Sequence, residues 1–394
     1  LGHQLAFQFR LPTKILFDVP AAETVGSEVG NRRAVLVCSN GFKNRKSDES
    51  FRAALKERLV YVAAGVPSNP SVNSICKLAK EVAEHRPDVL IAVGGGSVID
   101  AAKGIAAVFA EDCQEPHQLL NLLRNGGQLR SPQKLPVLSV PTTSGTGSEV
   151  TSFATIWDDE NHKKYSVDGP QNAPETAILD PALTLSLPEN DTVSTGLDAI
   201  SQGLESFWNK RSNPATQAWA AEAIRVSMKA LPALMRDLSD LTARREMMLG
   251  SLLAGMSISQ TRTGIAHAIS YPLTAHFGTP HGIACSFTLA SILRKNVEHD
   301  DGRFLYLTRH LGLGTTSQLC ESIQAVLEIT NVLGRLQRTV PDTRQIFGKF
   351  DEMFTAGRAD NNFFTLGRDE TMQILESSLI GFPVGDQRMI GAIN

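Results

Sequence analysis

The stretch "VGGGSVIDAAKGIA" (residues 93–106) sets three consecutive glycines between an apolar run and a helical pattern. Glycine loses more backbone entropy on folding than any other residue, so a triplet needs a reason. One reason is a tight turn; the other is a ligand that must approach the backbone closely. The run before the triplet, "DVLIAVGGG" (88–96), is continuous and apolar, as is "AVLVCSNG" (34–41). Both read as strands buried on two faces. "PVLSVPTTSGTGSE" (136–149) is a third, passing into a Ser/Thr/Gly-rich loop. Helical patterns over 49–64 and 72–86 lie between them. Such strand–helix alternation predicts a parallel, doubly wound, Rossmann-like sheet.

In open parallel sheets, ligands sit beyond the carboxyl ends of the strands. The triplet Gly94-Gly95-Gly96 holds that place, with Ser97 as a candidate helix N-cap and Asp100 three residues on, a variant of the capping box. Unpaired N–H groups and the helix dipole then favour a phosphate at the loop. The loop 141–149 offers hydroxyls and glycines beside it, and the two together could hold a dinucleotide. The triplet is not GxGxxG, so that fingerprint does not apply. A plain strand–helix turn is the alternative.

The remaining features bound the answer. A chain of 394 residues argues for two domains or one large one. Its 42% apolar and 20% charged residues are ordinary for a globular protein. A net charge of -3 gives no footprint for nucleic acid or an anionic membrane. No apolar run reaches membrane-span length and no signal-peptide pattern opens the chain, so the expected location is the cytoplasm. Five scattered cysteines without CxxC spacing suit reduced, buried thiols. From Pro188 onward helical patterns dominate, which predicts an α/β domain over 1–187 and an all-helical one over 188–394.

The helical half holds a second constellation. Asp198 and Gln202 are four residues apart in "GLDAISQGLES", hence on one helical face. "GIAHAISYPLTAHFGTPHG" carries His267, His276 and His281. A carboxylate and imidazoles from separate segments are ordinary ligands for Zn²⁺ or Fe²⁺. Each residue alone has a structural reading: a buried imidazole needs only a hydrogen-bond partner, and Asp198 could simply serve a helix dipole.

"GGGSVIDAAK", "PTTSGTGSE", "ILDPALTLSLP", "TGLDAISQ" and "HAISYPLTAHFGTPHG" occur in the order seen in the iron-containing, group III alcohol dehydrogenases. The chain resembles that family from about residue 10 to about residue 300. The resemblance implies a dehydroquinate synthase-like architecture: a dinucleotide-binding domain, a helical metal-binding domain, and hydride transfer in the cleft between them. It implies metal ligands at Asp198, Gln202, His267 and His281, and cofactor contacts at Ser39, Asn69, Gly94, Gly95, Gly96, Ser97, Asp100, Thr142, Thr143 and Lys164. His267 and Tyr271 are the expected catalytic residues.

Three positions depart from the family pattern. Gln202 stands where a second histidine is usual, and its amide oxygen is a neutral, weaker donor, which leaves Fe²⁺ or Zn²⁺ open; the related glycerol dehydrogenases resemble a three-ligand zinc arrangement. Tyr271 stands four residues after a ligand histidine, to donate a proton or merely to pack. Arg262, in "SQTRTGIAH", replaces a small residue and is a candidate anion receptor, or a solvent-facing arginine. Within the family the resemblance is strongest to the branch that reduces phosphonoacetaldehyde to 2-hydroxyethylphosphonate in phosphonate biosynthesis. A phosphonate dianion suits a guanidinium. The alternatives are a dehydrogenase of a neutral alcohol or diol, and a non-catalytic nucleotide-binding protein with a decayed metal site. No carboxylate follows the first expected strand; Ser39, Asn40, Lys43 and Arg45 are there instead, so NADPH is favoured over NADH. The expected partner is a small-molecule aldehyde or alcohol, with a homodimer left open.

Overall fold

The computed structural model describes residues 6–43, 46–161, 163–354 and 359–382. Eight strands are present among them: β1 (Lys14–Phe17), β2 (Ala34–Cys38), β3 (Leu59–Ala64), β4 (Val89–Gly94), β5 (Val137–Pro141), β6 (Phe153–Asp158), β7 (Lys163–Asp168) and β8 (Thr176–Leu179). Six make one sheet in the order β1-β8-β5-β4-β2-β3, and each of its pairs is parallel.

The continuous apolar runs behave as their composition demands. Val35, Val37, Leu90 and Ala92 face one helical layer. Their neighbours Leu36, Cys38, Ile91 and Val93 face the other. With both faces covered, alternation between polar and apolar has no role, and the strands read as unbroken hydrophobe. From β2 the chain steps to β3 on one side and then crosses to β4 on the other. The strand order therefore reverses between β2 and β4, and a crevice opens at their carboxyl ends.

The expected helix over 49–64 is half wrong. The helix ends at Leu55, and Leu59–Ala64 is β3, paired parallel with β2. "LVYVAA" is β-branched and aromatic, which suits a strand. It lies at the sheet edge and most of it is only half-buried, so it lacks both the unbroken apolarity of a central strand and clean alternation. The short strands β1 and β8 and the antiparallel β6–β7 hairpin also lie outside the sequence expectations.

Four helices organise the second half: α1 (Glu189–Phe207), α2 (Pro214–Arg236), α3 (Leu241–Thr261) and α4 (Ile265–Phe277), with the short α5 (His281–Ser286) after them. Their apolar faces share one core, in which Leu197, Ile200, Leu204, Ile224, Ile265 and Ile269 are fully buried.

Glycines bring the two halves together. A Cβ on Gly147 would lie 2.3 Å from Gly255 Cα, and one on Gly145 would lie 2.6 Å from Thr195 O. The loop after β5 thus packs backbone against backbone on α3 and α1. Only residues without side chains allow that approach.

Candidate active site

The glycine triplet is explained by packing. A Cβ on Gly94 would meet Val98 Cγ2 at 2.5 Å, and one on Gly96 would meet the Thr146 side chain at 2.6 Å. None of the three has a positive φ. Glycine is needed so that this loop and the loop after β5 can sit against each other, with the N-terminus of the helix Gly96–Glu111 between them.

The capping expected of Ser97 and Asp100 is not what forms. The N-cap is Gly95, without a side-chain hydrogen bond. Ser97 Oγ accepts from the backbone N–H of Asn69 at 3.2 Å. Asp100 accepts from Ser148 Oγ and from the Thr155 N–H at 2.8 Å. Both residues tie the glycine helix to neighbouring loops. Sequence spacing finds local caps and cannot see such long-range partners.

Gly96, Ser97, Asn69, Asp100 and Lys164 line one cleft with Asp198, Gln202, His267, Tyr271 and His281. Phe153, Thr155 and Trp157 of β6 form another part of its wall. The other expected cofactor contacts, Ser39, Gly94, Gly95, Thr142 and Thr143, are not among the residues that line it. Thr142 donates its N–H to Gly94 O at 2.9 Å, and Ser39 Oγ accepts the Phe42 N–H at 3.3 Å. Arg45 and the side chain of Lys43 lie outside the described residues.

At the helical end of the cleft, donors gather around one oxygen. His267 Nε2 is 3.2 Å from Asp198 Oδ1, His281 Nε2 is 4.0 Å from it, and Cys285 Sγ is 3.8 Å from it. Ligand atoms of Asp198, His267, His281 and Cys285 all lie within 4.8 Å of one another. Gln202, one turn on from Asp198, donates its Nε2 to Thr146 O at 3.3 Å. Its Oε1 is buried without a partner. An orphaned acceptor beside a carboxylate and two imidazoles is the donor set of a divalent cation, and these residues fit one.

Glu205 holds this arrangement from behind, a residue the sequence reading missed. Its carboxylate takes His267 Nδ1 at 2.6 Å and accepts backbone N–H groups of Gly264 and Ala266 at 2.8 and 2.6 Å. It thereby fixes the ring and the start of α4 together, the partner that metal-binding imidazoles usually have. The signal was available: positions 198, 202 and 205 follow the i, i+4, i+7 pattern of one helical face.

Charges follow from these contacts. Burial alone would push the His267 imidazole down, but Glu205 and Asp198 outweigh it and raise it to about 9. Burial, helped by the Lys164 charge, pushes His281 down to about 3, so its ring is neutral. Burial works against the Asp198 carboxylate, yet the two imidazoles and Lys164 hold it below its ordinary value. The Lys164 ammonium lies 4.5 Å from the Tyr271 ring centre and 5.9 Å from that of Trp157.

Two candidates are not brought in. His276 Nε2 pairs with Glu352 at 2.6 Å, away from the cleft. Arg262 is not among the cleft-lining residues. Its guanidinium pairs with Asp168 and lies 4.5 Å from the Phe153 ring centre, so both its charge and its face are engaged by the β6–β7 hairpin. It also ends α3 with a φ of 70°, an uncommon conformation for a side-chain-bearing residue. The arginine serves the wall of the cleft.

With this geometry in place, comparison with known proteins is decisive. Residues 12–181 match the profile of iron-containing alcohol dehydrogenase, and residues 192–378 match that family's C-terminal region. The chain belongs to the iron-containing alcohol dehydrogenase family. It is an oxidoreductase of the alcohol dehydrogenase and aldehyde reductase type. Phosphonoacetaldehyde reductase of Streptomyces viridochromogenes is 36% identical over 267 residues, 67% of either chain. The probable alcohol dehydrogenase EutG of Salmonella typhimurium is 34% identical, over 69% of this chain and 67% of its own. Among solved structures, sulfoacetaldehyde reductase of Bifidobacterium kashiwanohense, in complex with NAD+, superposes with a TM-score of 0.86 at 26% identity. That match covers 97% of this chain and all of the other, at 100%. Among the described residues, no helix is long and apolar enough to cross a membrane.

Proposed function

We propose that this iron-containing alcohol dehydrogenase reduces a small aldehyde to a primary alcohol, with phosphonoacetaldehyde as the preferred substrate. The observation that carries the reading is the convergence of Asp198, His267 and His281 in one cleft with the glycine loop. These residues would hold a divalent ion, Fe²⁺ or Zn²⁺, with Gln202 at the fourth position of the family pattern. When bound, the ion supplies Lewis acidity toward the carbonyl oxygen and the nicotinamide supplies the hydride. Gly96, Ser97 and Asn69 would receive the dinucleotide at the N-terminus of the helix behind them. His267 keeps its Nε2 toward Asp198 because Glu205 takes its other nitrogen. Tyr271 walls the substrate end and holds a phenol hydroxyl for proton delivery to the product oxygen.

The anionic substrate class rests on two relatives, whose names give a phosphonate and a sulfonate on a two-carbon aldehyde. It rests also on Lys164 in the cleft wall. A second reading, a neutral alcohol or diol, draws on the engagement of Arg262 by Asp168 and on a 29% identical 1,3-propanediol dehydrogenase of Klebsiella pneumoniae. Turnover of phosphonoacetaldehyde against propionaldehyde separates the two. The first reading requires kcat/KM at least about tenfold higher for the phosphonate, the worth of one charge-assisted bond of roughly 1.5–3 kcal/mol. Equal values favour the second.

Cofactor choice has its own test. Ser39 follows β2 at the crevice, where an acid would bind the ribose 2′-hydroxyl of NAD and repel a 2′-phosphate. With serine there, NADPH is preferred and NADH is used. Ser39→Asp is expected to invert that order through the KM for NADPH. A parent enzyme tenfold better with NADH would refute the assignment.

A further inference from the structure

We propose that Cys285 is a metal ligand in this enzyme: its thiolate takes the place of the imidazole that Gln202 replaces. The inference rests on the ion-binding reading above and changes its fourth donor.

The geometry begins on α5, where His281 and Cys285 are four residues apart and so share a face. Cys285 is wholly buried. Its Sγ lies 3.8 Å from Asp198 Oδ1, 3.5 Å from Ser201 Oγ and 3.6 Å from Gly282 O. Zinc–ligand bonds of about 2.0–2.3 Å at tetrahedral angles set ligand atoms roughly 3.4–3.7 Å apart. Around Asp198 Oδ1 the three candidate partners stand at 3.2, 4.0 and 3.8 Å. From this oxygen the separations bracket the required value, Cys285 Sγ included, and the four ligand atoms all lie within 4.8 Å of one another.

The rival for the fourth place is Gln202 Oε1, buried and without a partner. An amide oxygen is neutral and hard. A thiolate is anionic and soft, and bound divalent ions displace thiol protons to solvent. For an ion already held by two imidazoles and a carboxylate, sulfur is the stronger donor, and the resulting S/N/N/O set favours zinc over iron. Four protein ligands are also the number in the family pattern. Zinc accepts a fifth donor during reaction, which leaves room for the substrate oxygen. Gln202 then faces the ion from outside, its Nε2 anchored on Thr146 O.

The test is done on full-length protein stripped by a chelator and titrated with Co²⁺. The proposal requires a thiolate-to-cobalt charge-transfer band in the near ultraviolet. Cys285→Ser should abolish that band. Loss of an outer-shell partner alone costs about 10–100-fold in affinity, so loss of this ligand should weaken Zn²⁺ binding by about 100-fold or more. Gln202→Ala should keep the band. Adding Gln202→His to Cys285→Ser should restore tight binding without it. Cobalt bound with no thiolate band overturns the assignment of Cys285 and leaves the ion-binding reading standing. So does Zn²⁺ affinity that falls in Gln202→Ala and holds in Cys285→Ser. Failure to bind any divalent ion overturns both. The parent spectrum decides even if the serine variant does not fold.

Discussion

Glu205 shows how much of a candidate metal centre sits behind the residues that would hold the ion. It is fully buried, and a buried carboxylate is tolerable only when its oxygens are occupied. Here they are: one takes the His267 ring nitrogen and the Gly264 N–H, the other the Ala266 and His267 N–H groups. A glutamine in its place presents an amide N–H₂ toward donors. Glu205→Gln is therefore expected to weaken divalent-ion binding about 10–100-fold while the protein still folds. Isothermal titration of the stripped enzyme with Zn²⁺ checks it, and unchanged affinity would remove Glu205 from the site. Arg262 gives the opposite lesson. Its neighbours in sequence pointed to the reaction centre, yet its partner Asp168 lies 94 residues away. Arg262→Ala should lower kcat/KM alike for phosphonoacetaldehyde and propionaldehyde, because what it loosens is the hairpin wall. A loss confined to the phosphonate would restore it as a substrate contact.

The helix Gly96–Glu111 is the element through which the glycine loop meets that hairpin. Most of its residues are buried, and Lys103 in its middle has no exposure at all. Lys103 Nζ donates to Thr151 O at 3.1 Å and Phe153 O at 2.8 Å, fastening the start of β6 to the glycine helix. The sequence carried this in plain sight: a lysine in the middle of a largely apolar helix needs buried partners. Asp100, three residues earlier and 3.7 Å from the ammonium, was legible from helical spacing; the carbonyls of Thr151 and Phe153 were not, because carbonyls leave no residue signature. The same limit explains the error over 49–64, where an edge strand offers no clean period. The central strands and the metal face of α1 were legible because burial on two faces and helical spacing both write themselves into residue order.

Glu149, in the short 3-10 turn Ser148–Val150, is a second buried ionisable group near Lys103. Burial pushes its carboxyl up from 4.5 to about 7, partly opposed by its own backbone N–H and by Lys103. For Lys103, burial pushes the ammonium down from 10.5 to about 8. Between pH 4.5 and 7 the folded state keeps a Glu149 proton that the unfolded chain has released, so stability falls as pH rises through that window. Between pH 8 and 10.5 the unfolded chain holds the Lys103 proton that the folded state lacks, so stability rises with pH there. Across either window, a group bound in one state and free in the other changes stability by about 1.4 kcal/mol for every pH unit crossed. Glu149→Gln should remove the first slope and, because the Glu149 carboxylate helps Lys103 keep its proton, extend the second toward lower pH. Urea denaturation of variant and parent across pH 4.5 to 10.5 shows both slopes, and the difference between the two isolates Glu149 below pH 7; a difference that does not vary with pH there would contradict the burial argument.

At the scale of the molecule, catalysis depends on how far apart the two halves sit. In the function proposed above, the nicotinamide is received by one half and the ion by the other, and a misplacement of about 1 Å costs roughly a hundredfold in rate. The separation is fixed where Gly147 meets Gly255, with no side chain between the loop after β5 and α3. Gly255 is helical, so alanine suits its backbone; only the contact opposes it. A Cβ there would lie 2.6 Å from Gly147 Cα, which the backbones can relieve only by moving apart. Gly255→Ala is therefore expected to keep its secondary structure and to lose about 1–3 kcal/mol of stability from overpacking. Its kcat should fall more than about tenfold, because the halves no longer close to the reacting distance. The affinity for Zn²⁺ should hold, since Asp198, His267, His281 and Cys285 all belong to the helical half. Circular dichroism, zinc titration and steady-state kinetics on the one variant make the comparison. A variant that keeps full kcat despite the lost stability would show that the glycine pair serves folding and does not set the width of the cleft.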